Sequence, residues 1–182
     1  MKLVALVGSI REESYNLALV KTMQERYSGK VDITIANIKD LPFYNEDVEN
    51  DPSEVVRQFK REITEADGVI IATSEYNWSI PGVLKNALDW LSRVDKVLTK
   101  KPTMIVGASI GQVGTLRAQL HLRQILASPG LQARVLPPAG NEVLVNFAST
   151  KFDNARLVDA PTLEFIDGVF DRFIGWVNIG KK

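Results

Sequence analysis

Three short segments combine hydroxyl, amide, aromatic and glycine residues in patterns suited to ligand binding. The first, residues 8–16, contains Ser9, Arg11, Ser14 and Asn16 immediately before or within the start of a predicted helix. Hydroxyls, a guanidinium, an amide and free backbone N–H groups at a helix start suit a phosphate group. Ser14 by itself indicates only a helix N-cap, but a cap does not explain the other three residues. The segment therefore predicts a phosphate site, although it is neither a Walker A loop nor a GxGxxG fingerprint.

The second and third segments suit a flat polar ring. Residues 74–82 place Tyr76 and Trp78 beside hydroxyl, carboxylate and amide groups, which can stack on a ring and hydrogen-bond its edge. A plain turn before a helix with Pro81 in its first turn would also explain this segment. Residues 107–115 contain three glycines, which permit either a close ligand approach or a simple turn. Together the three segments describe a phosphate pocket beside a flat-ring pocket, and flavin mononucleotide (FMN) fits that description.

We expect a bound organic cofactor to supply any redox chemistry. The chain has no cysteine and one histidine, His121, which excludes thiol redox, disulfides and His-pair metal sites. His121 could act as a lone general base, but its position between Leu120 and Leu122 favours a helix surface. We therefore predict no catalytic side chain and no metal site. The candidate cofactor-binding residues are Ser9, Arg11, Ser14, Tyr15, Asn16, Ser74, Glu75, Tyr76, Asn77, Trp78, Ser109, Gly111 and Gly114.

Alternating apolar patterns predict the elements that position these residues. Strands are predicted at Lys2–Gly8, Val31–Ile38, Asp67–Ser74, Lys101–Ser109 and Leu131–Leu136. Helices are predicted at Tyr15–Tyr27, around Val56, Phe59 and Ile63, and at Pro81–Arg93, Gly114–Ala127 and Thr162–Val177. This alternation indicates an α/β fold with a parallel sheet covered by helices on both faces. Ligands of such folds bind outside the carboxyl ends of the strands, and each of the three segments follows a strand.

Length and composition favour a single globular domain. The 182 residues, 45% apolar and 24% charged, predict a single globular domain spanning 1–182. Net charge is zero, and the basic residues are scattered rather than gathered on a helix, so no nucleic-acid partner is expected. No apolar run approaches the length of a membrane span. The first residues predict a strand rather than a signal peptide, so we expect a cytoplasmic protein with no membrane partner.

Longer motifs in these segments identify a family. They are Gly8-Ser9-x-Arg11-x-x-Ser14-x-Asn16, Leu41-Pro42-x-Tyr44-Asn45-x-Asp47, Glu75-Tyr76-Asn77-x-Ser79-x-Pro81-Gly82-x-Leu84-Lys85-Asn86-Ala87-x-Asp89-Trp90 and Gly114-x-x-Arg117-Ala118-Gln119. With these motifs the chain resembles the NADPH-dependent FMN reductases, flavodoxin-like proteins that include bacterial azoreductases, quinone reductases and chromate reductases. Two positions depart from the family pattern: Ser74 stands where proline is common, and Thr115 where a second glycine is common.

The resemblance implies a fold, a cofactor and an activity. It implies a flavodoxin-like three-layer sandwich with a five-stranded parallel sheet of order 2-1-3-4-5 and a tightly bound FMN. The resemblance implies that the phosphate is held by Ser9, Arg11, Ser14 and Asn16. It implies that the isoalloxazine is lined by residues 75–77, with Ser109 and Gly111 on the far side. A homodimer or homotetramer is implied, with the Pro81–Arg93 helix near the subunit contact.

The activity implied is that of an FMN-dependent NAD(P)H oxidoreductase. A hydride would pass from NADPH or NADH through flavin N5 to a small-molecule acceptor such as a quinone, azo compound, chromate or free flavin. Arg117 and Arg123 are the candidates for binding the 2′-phosphate of NADPH. Two alternatives stay open at this point: a flavodoxin-type electron carrier, and a flavin-binding module without turnover.

Overall fold

Strands and helices alternate along the chain in the computed structural model, which describes residues 1–179. The elements are β1 (Lys2–Gly8), α1 (Tyr15–Tyr27), β2 (Asp32–Ile35), α2 (Glu54–Glu65), β3 (Gly68–Thr73), α3 (Gly82–Leu91), β4 (Pro102–Ala108), α4 (Leu116–Leu126), β5 (Arg134–Val135), β6 (Val143–Val145), α5 (Ala148–Lys151), β7 (Phe152–Asp153), β8 (Arg156–Leu157) and α6 (Ala160–Asn178). The order agrees with the predicted alternation, and most boundaries agree within two or three residues.

The main sheet is parallel and has the strand order β2-β1-β3-β4-β5. This is the flavodoxin-like order that the family resemblance implied, and it is confirmed. Two short segments fill the fifth position of that order, so the sheet contains six strands in all. β5 pairs with the first residues of β4, at Pro102 and Thr103, while β6 pairs with its last residues, Val106 to Ala108. Two separate segments therefore share the position that one longer strand was expected to fill.

Helices cover both faces of the sheet because its central strands bury side chains on both faces. Leu3, Ala5 and Val7 of β1 belong to the core on the side of α1 and α6. Val4 and Leu6 belong to the opposite core, with α2, α3 and α4. The result is the expected three-layer sandwich.

The last helix is tied to the first by a charged and aromatic contact. Arg26 of α1 forms an ion pair with Asp167 of α6, and the Tyr27 hydroxyl donates to the same carboxylate at 2.8 Å. The Tyr27 ring also stacks on Phe170 with centroids 3.8 Å apart. The pKa of Asp167 lies below its ordinary value, chiefly because the Arg26 guanidinium donates a hydrogen bond to this carboxylate.

A few local predictions differ from the structure. Pro81 is the N-cap residue of α3 rather than part of its first turn, and α4 begins at Leu116 rather than Gly114. The antiparallel pair β7–β8 and the short helix α5 were not predicted. Within the described residues, every helix is too short or too polar to span a lipid bilayer.

Candidate functional site

A pocket of about 390 Å³ opens at the carboxyl ends of β1, β3 and β4, where the three predicted segments meet. Its lining residues are Ser9, Arg11, Ser14, Tyr15, Asn16, Ser74, Glu75, Tyr76, Ala108, Ser109 and Ile110. All but Ala108 and Ile110 were predicted from the sequence. Asn77, Trp78, Gly111 and Gly114 lie in the same loops but outside the pocket lining. A larger cavity of about 720 Å³, between α2 and residues 94–101, includes none of the predicted residues.

The β1–α1 loop presents hydrogen-bond donors at the start of α1. The Ser14 side chain caps the helix by accepting from the Leu17 backbone N–H at 3.3 Å. As at any helix start, the N–H groups of Tyr15 and Asn16 have no acceptor within the helix. Arg11 lies over the Tyr15 ring, 5.7 Å from its centroid, and is exposed. This end of the pocket therefore combines a guanidinium, two hydroxyls and the positive end of the α1 dipole.

The Asn16 side chain forms hydrogen bonds to two other elements of the site. Its amide is buried and donates to Ser74 Oγ and to the Ala108 carbonyl, both at 3.0 Å. Its Oδ1 accepts from the Ala108 N–H at 2.9 Å. The side chain thus ties α1 to the ends of β3 and β4.

The structure explains both departures from the family pattern. Ser74 accepts the bond from Asn16, a role that the proline common at this position cannot fill. Thr115 is fully buried, so its side chain does not contribute to the loop surface. Its hydroxyl accepts from Gln119 Nε2 at 3.1 Å and packs over Gly107, where a Cβ would lie 1.9 Å from Thr115 Oγ1. A threonine at 115 is therefore matched to a glycine at 107.

The β3–α3 loop ends in a tight two-residue turn. Tyr76 and Ser79 exchange two backbone hydrogen bonds of 3.0 Å, and Asn77 and Trp78 between them have φ values of 52° and 63°. Positive φ at both central residues is the geometry of a type I′ turn, in which asparagine and glycine are favoured and tryptophan is not. The turn exposes 53% of Tyr76 and 71% of Trp78. A strained backbone thus presents aromatic surface beside the pocket.

Four contacts hold this turn against α4. The Glu75 carboxylate accepts from the Ala118 N–H at 3.0 Å and lies 3.8 Å from Arg117. The Arg117 guanidinium lies over the Trp78 ring, 4.8 Å from its centroid. Ser79 Oγ is hydrogen-bonded to His121 Nδ1 at 2.9 Å. His121 therefore lies on the helix surface, as predicted, where it supports the turn.

The β4–α4 loop is shaped by bonds to its own backbone and to the segment after β6. Ser109 Oγ donates to the Gly114 carbonyl at 2.7 Å and accepts from the Gly111 N–H at 3.2 Å. The Ser109 N–H donates to the Val145 carbonyl at 2.9 Å, and the Phe147 N–H donates to the Gly111 carbonyl at 3.3 Å. This support could not be predicted from the sequence, because Val143–Val145 is too short to produce a recognisable strand pattern.

The two arginines considered for a 2′-phosphate are both engaged. Arg123 donates to the Leu136 carbonyl at 2.9 Å, and its burial lowers the pKa of its guanidinium. Arg117 is held between Glu75 and the Trp78 ring. Within residues 1–179, no group of three His, Asp or Glu side chains is placed to hold a metal ion.

This chain resembles known reductases. A family model described as NADPH-dependent FMN reductase matches residues 1–148. The chain is 41% identical to the NADH-dependent flavin reductase subunit 2 of Lactobacillus johnsonii, with all of both chains covered. It is 43% identical to the NADH:(hydroxy)cinnamate reductase subunit CrdA of Vibrio ruber, with 100% of this chain and 90% of that one covered.

Two further relatives extend the comparison. A 2-hydroxy-1,4-benzoquinone reductase of Burkholderia sp is 36% identical, with 98% of this chain and 97% of the relative covered. Among solved structures, the flavoenzyme NAD(P)H:(acceptor) oxidoreductase FerB of Paracoccus denitrificans superposes with a TM-score of 0.87 at 30% identity, covering 97% of each chain. These relatives are named as reductases or, for FerB, as an oxidoreductase, which disfavours an electron carrier or an inert flavin-binding module.

Proposed function

The chain belongs to the NADPH-dependent FMN reductase family, and we propose that its pocket holds FMN and that its electron acceptors are quinones or free flavins. It is an FMN-dependent NAD(P)H oxidoreductase. FMN, when bound, supplies the two-electron chemistry between a nicotinamide and the acceptor. The side chains of the pocket bind and orient the reactants and shape the electrostatic field around them.

The observation that carries the proposal is the donor set at the start of α1. Ser9, Arg11 and Ser14 line one end of the pocket together with the first turn of the helix. A phosphate dianion fits this chemistry, because a guanidinium, hydroxyls and free backbone N–H groups all donate hydrogen bonds to it. Ser9 and Arg11 supply side-chain donors, whereas Tyr15 and Asn16 supply backbone N–H groups.

The opposite end of the pocket fits a flat ring. Glu75, Tyr76 and Ser109 line it, and Ile110 adds an exposed apolar surface. The Glu75 carboxylate is already bonded to α4, so the ring would meet loop backbone and the Tyr76 side chain rather than a free charge. Four predicted residues flank this end, where they shape the loops and the entrance for substrates: Asn77, Trp78, Gly111 and Gly114.

The visible spectrum of the purified protein tests the proposal. We expect flavin absorbance in the protein as purified, or after FMN is added, and loss of that absorbance when NADH or NADPH is added without oxygen. Oxygen-free addition of a quinone should then restore it. A protein that takes up no FMN would overturn the proposed site, and one whose flavin resists both nicotinamides would overturn the proposed activity.

A second candidate function is electron delivery to another protein subunit. Two relatives that match along the full chain are named as subunits, and the turn beside the pocket exposes Tyr76 and Trp78. Turnover of NADH with a quinone by this chain alone would support the complete enzyme. Loss of flavin absorbance with NADH, but no steady turnover with quinone or free flavin, would support the subunit instead.

We also propose that the chain forms a homodimer or homotetramer and works in the cytoplasm, as one FMN-binding domain. Self-association is supported by apolar side chains left exposed in the part of the chain described, notably Phe43 at 90% and Trp78 at 71%. The cytoplasmic assignment rests on the co-substrate, since NAD(P)H is a cytoplasmic metabolite. Light scattering during size-exclusion chromatography tests the first point: a mass at twice or four times the 20.2 kDa chain supports it.

A further inference from the structure

A second cleft adjoins the candidate FMN pocket. It has a volume of about 380 Å³ and lies between the start of α1 and the β7–β8 hairpin. Arg11, Ser14 and Tyr15 line both cavities. The two cavities are therefore neighbours across the β1–α1 loop, and a ligand longer than FMN can reach from one into the other.

One wall of the cleft is aromatic and fixed in place. The rings of Tyr15 and Phe152 are in contact, with centroids 5.2 Å apart and planes inclined by 56°. The hairpin that carries Phe152 is anchored to α1, because the Leu157 N–H donates to Thr22 Oγ1 at 3.0 Å and Arg156 pairs with Glu25 at 2.9 Å. A flat, partly apolar group such as a nucleobase fits a wall of this kind.

The charges of the cleft suit a nucleoside carrying phosphates on one side only. Arg11 and Lys21 provide two cations at its rim, and Glu12 and Glu13 provide two exposed carboxylates. Guanidinium and ammonium groups bind phosphate oxygens. Carboxylates accept hydrogen bonds from ribose hydroxyls and repel a phosphate attached to the same ribose.

We propose that this cleft binds the adenosine half of the nicotinamide co-substrate and that Glu12 and Glu13 favour NADH over NADPH. The inference rests on the proposed function, which places the nicotinamide in the neighbouring pocket. Arg11 borders both cavities, so it faces the FMN phosphate on one side and the pyrophosphate of NADH on the other. The absence of a free arginine at Arg117 or Arg123 agrees with this preference, since both are engaged within the described structure.

Binding of nicotinamide-free fragments tests the cleft without relying on turnover. Calorimetric titration of the FMN-saturated protein with ADP-ribose and with 2′-phospho-ADP-ribose should show tighter binding of ADP-ribose. Phe152→Ala should weaken ADP-ribose binding by about tenfold, and Lys21→Ala by about threefold. Phe152→Leu keeps the apolar packing but not the aromatic face, so it gives the same information if Phe152→Ala does not fold.

A charge-matched pair of variants tests the selectivity. In the double variant Glu12→Gln with Glu13→Gln, the ratio of the affinities for ADP-ribose and 2′-phospho-ADP-ribose should fall by about fivefold to tenfold. The main cause should be stronger binding of the 2′-phosphorylated fragment. Glu65→Gln with Glu164→Gln removes the same number of charges from α2 and α6 and should leave the ratio unchanged. The ratio of kcat/KM for NADH and NADPH should follow the affinities.

The outcomes separate the two proposals. If ADP-ribose does not bind, or if the Phe152, Lys21 and Glu12/Glu13 variants leave both affinities unchanged, the cleft is not the adenosine site, whatever the activity with NADH. If the wild-type protein binds FMN but oxidises neither nicotinamide, the proposed function is wrong, and the titrations still decide what the cleft binds.

Discussion

The side-chain amide of Asn16 and the backbone of Ala108 form a pair of hydrogen bonds, one in each direction, of 3.0 and 2.9 Å. The pair joins the first turn of α1 to the last residue of β4. Because both partners are buried, the bonds fix the distance between two sides of the candidate FMN pocket.

Removing this amide should destabilise the protein. Asn16→Ala leaves the Ala108 N–H and carbonyl unpartnered in a buried place, and we expect a loss of about 2–4 kcal/mol in the free energy of unfolding. Urea denaturation of the FMN-free protein measures it. Asn178→Ala, at an exposed position on α6, is the control and should stay within about 0.5 kcal/mol of wild type. Equal stability of the two variants would contradict the bracing role of Asn16.

Among flavins, Arg11 should affect the binding only of one that carries a phosphate. We expect Arg11→Ala to weaken FMN binding by about 10- to 100-fold, because a charge-assisted bond to phosphate is lost. Fluorescence titration of the FMN-free protein gives the dissociation constant. Riboflavin lacks the phosphate and serves as the internal control, so its affinity should change little. A similar loss for both flavins would show that Arg11 does not bind the phosphate.

Trp78 should prove more important for substrates than for stability. Glycine is favoured at this position of a type I′ turn, so Trp78→Gly relieves strain while it removes the contact with Arg117. We expect unchanged stability or a gain of up to about 1 kcal/mol, together with a KM for quinone raised severalfold. Trp78→Phe keeps an aromatic face and the strained φ, and should retain a KM close to wild type. A marked loss of stability in Trp78→Gly would show that the contact outweighs the strain.

Gly107 and Thr115 should be energetically coupled. Gly107→Ala places a methyl group 1.9 Å from Thr115 Oγ1 and 2.8 Å from the Thr73 carbonyl, and should cost about 3 kcal/mol or more. Thr115→Gly removes the first clash, so the double variant should be more stable than the sum of single effects predicts. The double variant should still be less stable than wild type, because the clash with the Thr73 backbone carbonyl remains. Gly29→Ala, with no neighbour within 4 Å, is the control.

The link between α1 and α6 should respond to acid. The pKa of Asp167 is below its ordinary value of about 3.8, chiefly because Arg26 donates to the carboxylate. A lowered folded-state pKa gives stabilisation that is complete above the ordinary value and is lost as the pH falls through the folded-state value. The Tm difference between wild type and Asp167→Asn should therefore be largest above about pH 5 and shrink below about pH 4. Asp171→Asn, in an exposed pair with Lys30 at 3.4 Å, should show little effect.

The sequence was sufficient to predict most of the sheet. β1, β3 and β4 are buried on both faces, so each appears as an apolar run between polar segments. Their carboxyl ends then had to meet at one edge, which is why the pocket lining could be predicted for nine residues. The fifth strand position was predicted less well. Pro137 and Pro138 interrupt the apolar pattern there, and the two strands that share the position, β5 and β6, are only two and three residues long.

Side-chain roles at the site were harder to foresee. An asparagine at the start of a helix suits either a phosphate contact or buried hydrogen bonds within the protein. The sequence does not show that the Asn16 side chain lies within hydrogen-bonding distance of Ala108. The use of Glu75 as a partner for α4 depends on a contact between residues 43 positions apart. Ala108 and Ile110 have no chemical signal in the sequence, since their place in the pocket follows from where β4 ends.

The sheet edge beside β4 is divided between β5 and β6, so one part of it can unfold locally while the rest of the protein stays folded. β6 pairs only with the last three residues of β4 and is followed directly by the residues that bond to Ser109 and Gly111. Opening of this ladder would disassemble one wall of the pocket while β5 stays paired at the other end of β4. Amide hydrogens of residues 143–147 should therefore exchange faster than those of β1 and β3, and bound FMN should slow them selectively. The edge would then act as a local gate for cofactor exchange that opens without loss of the folded core.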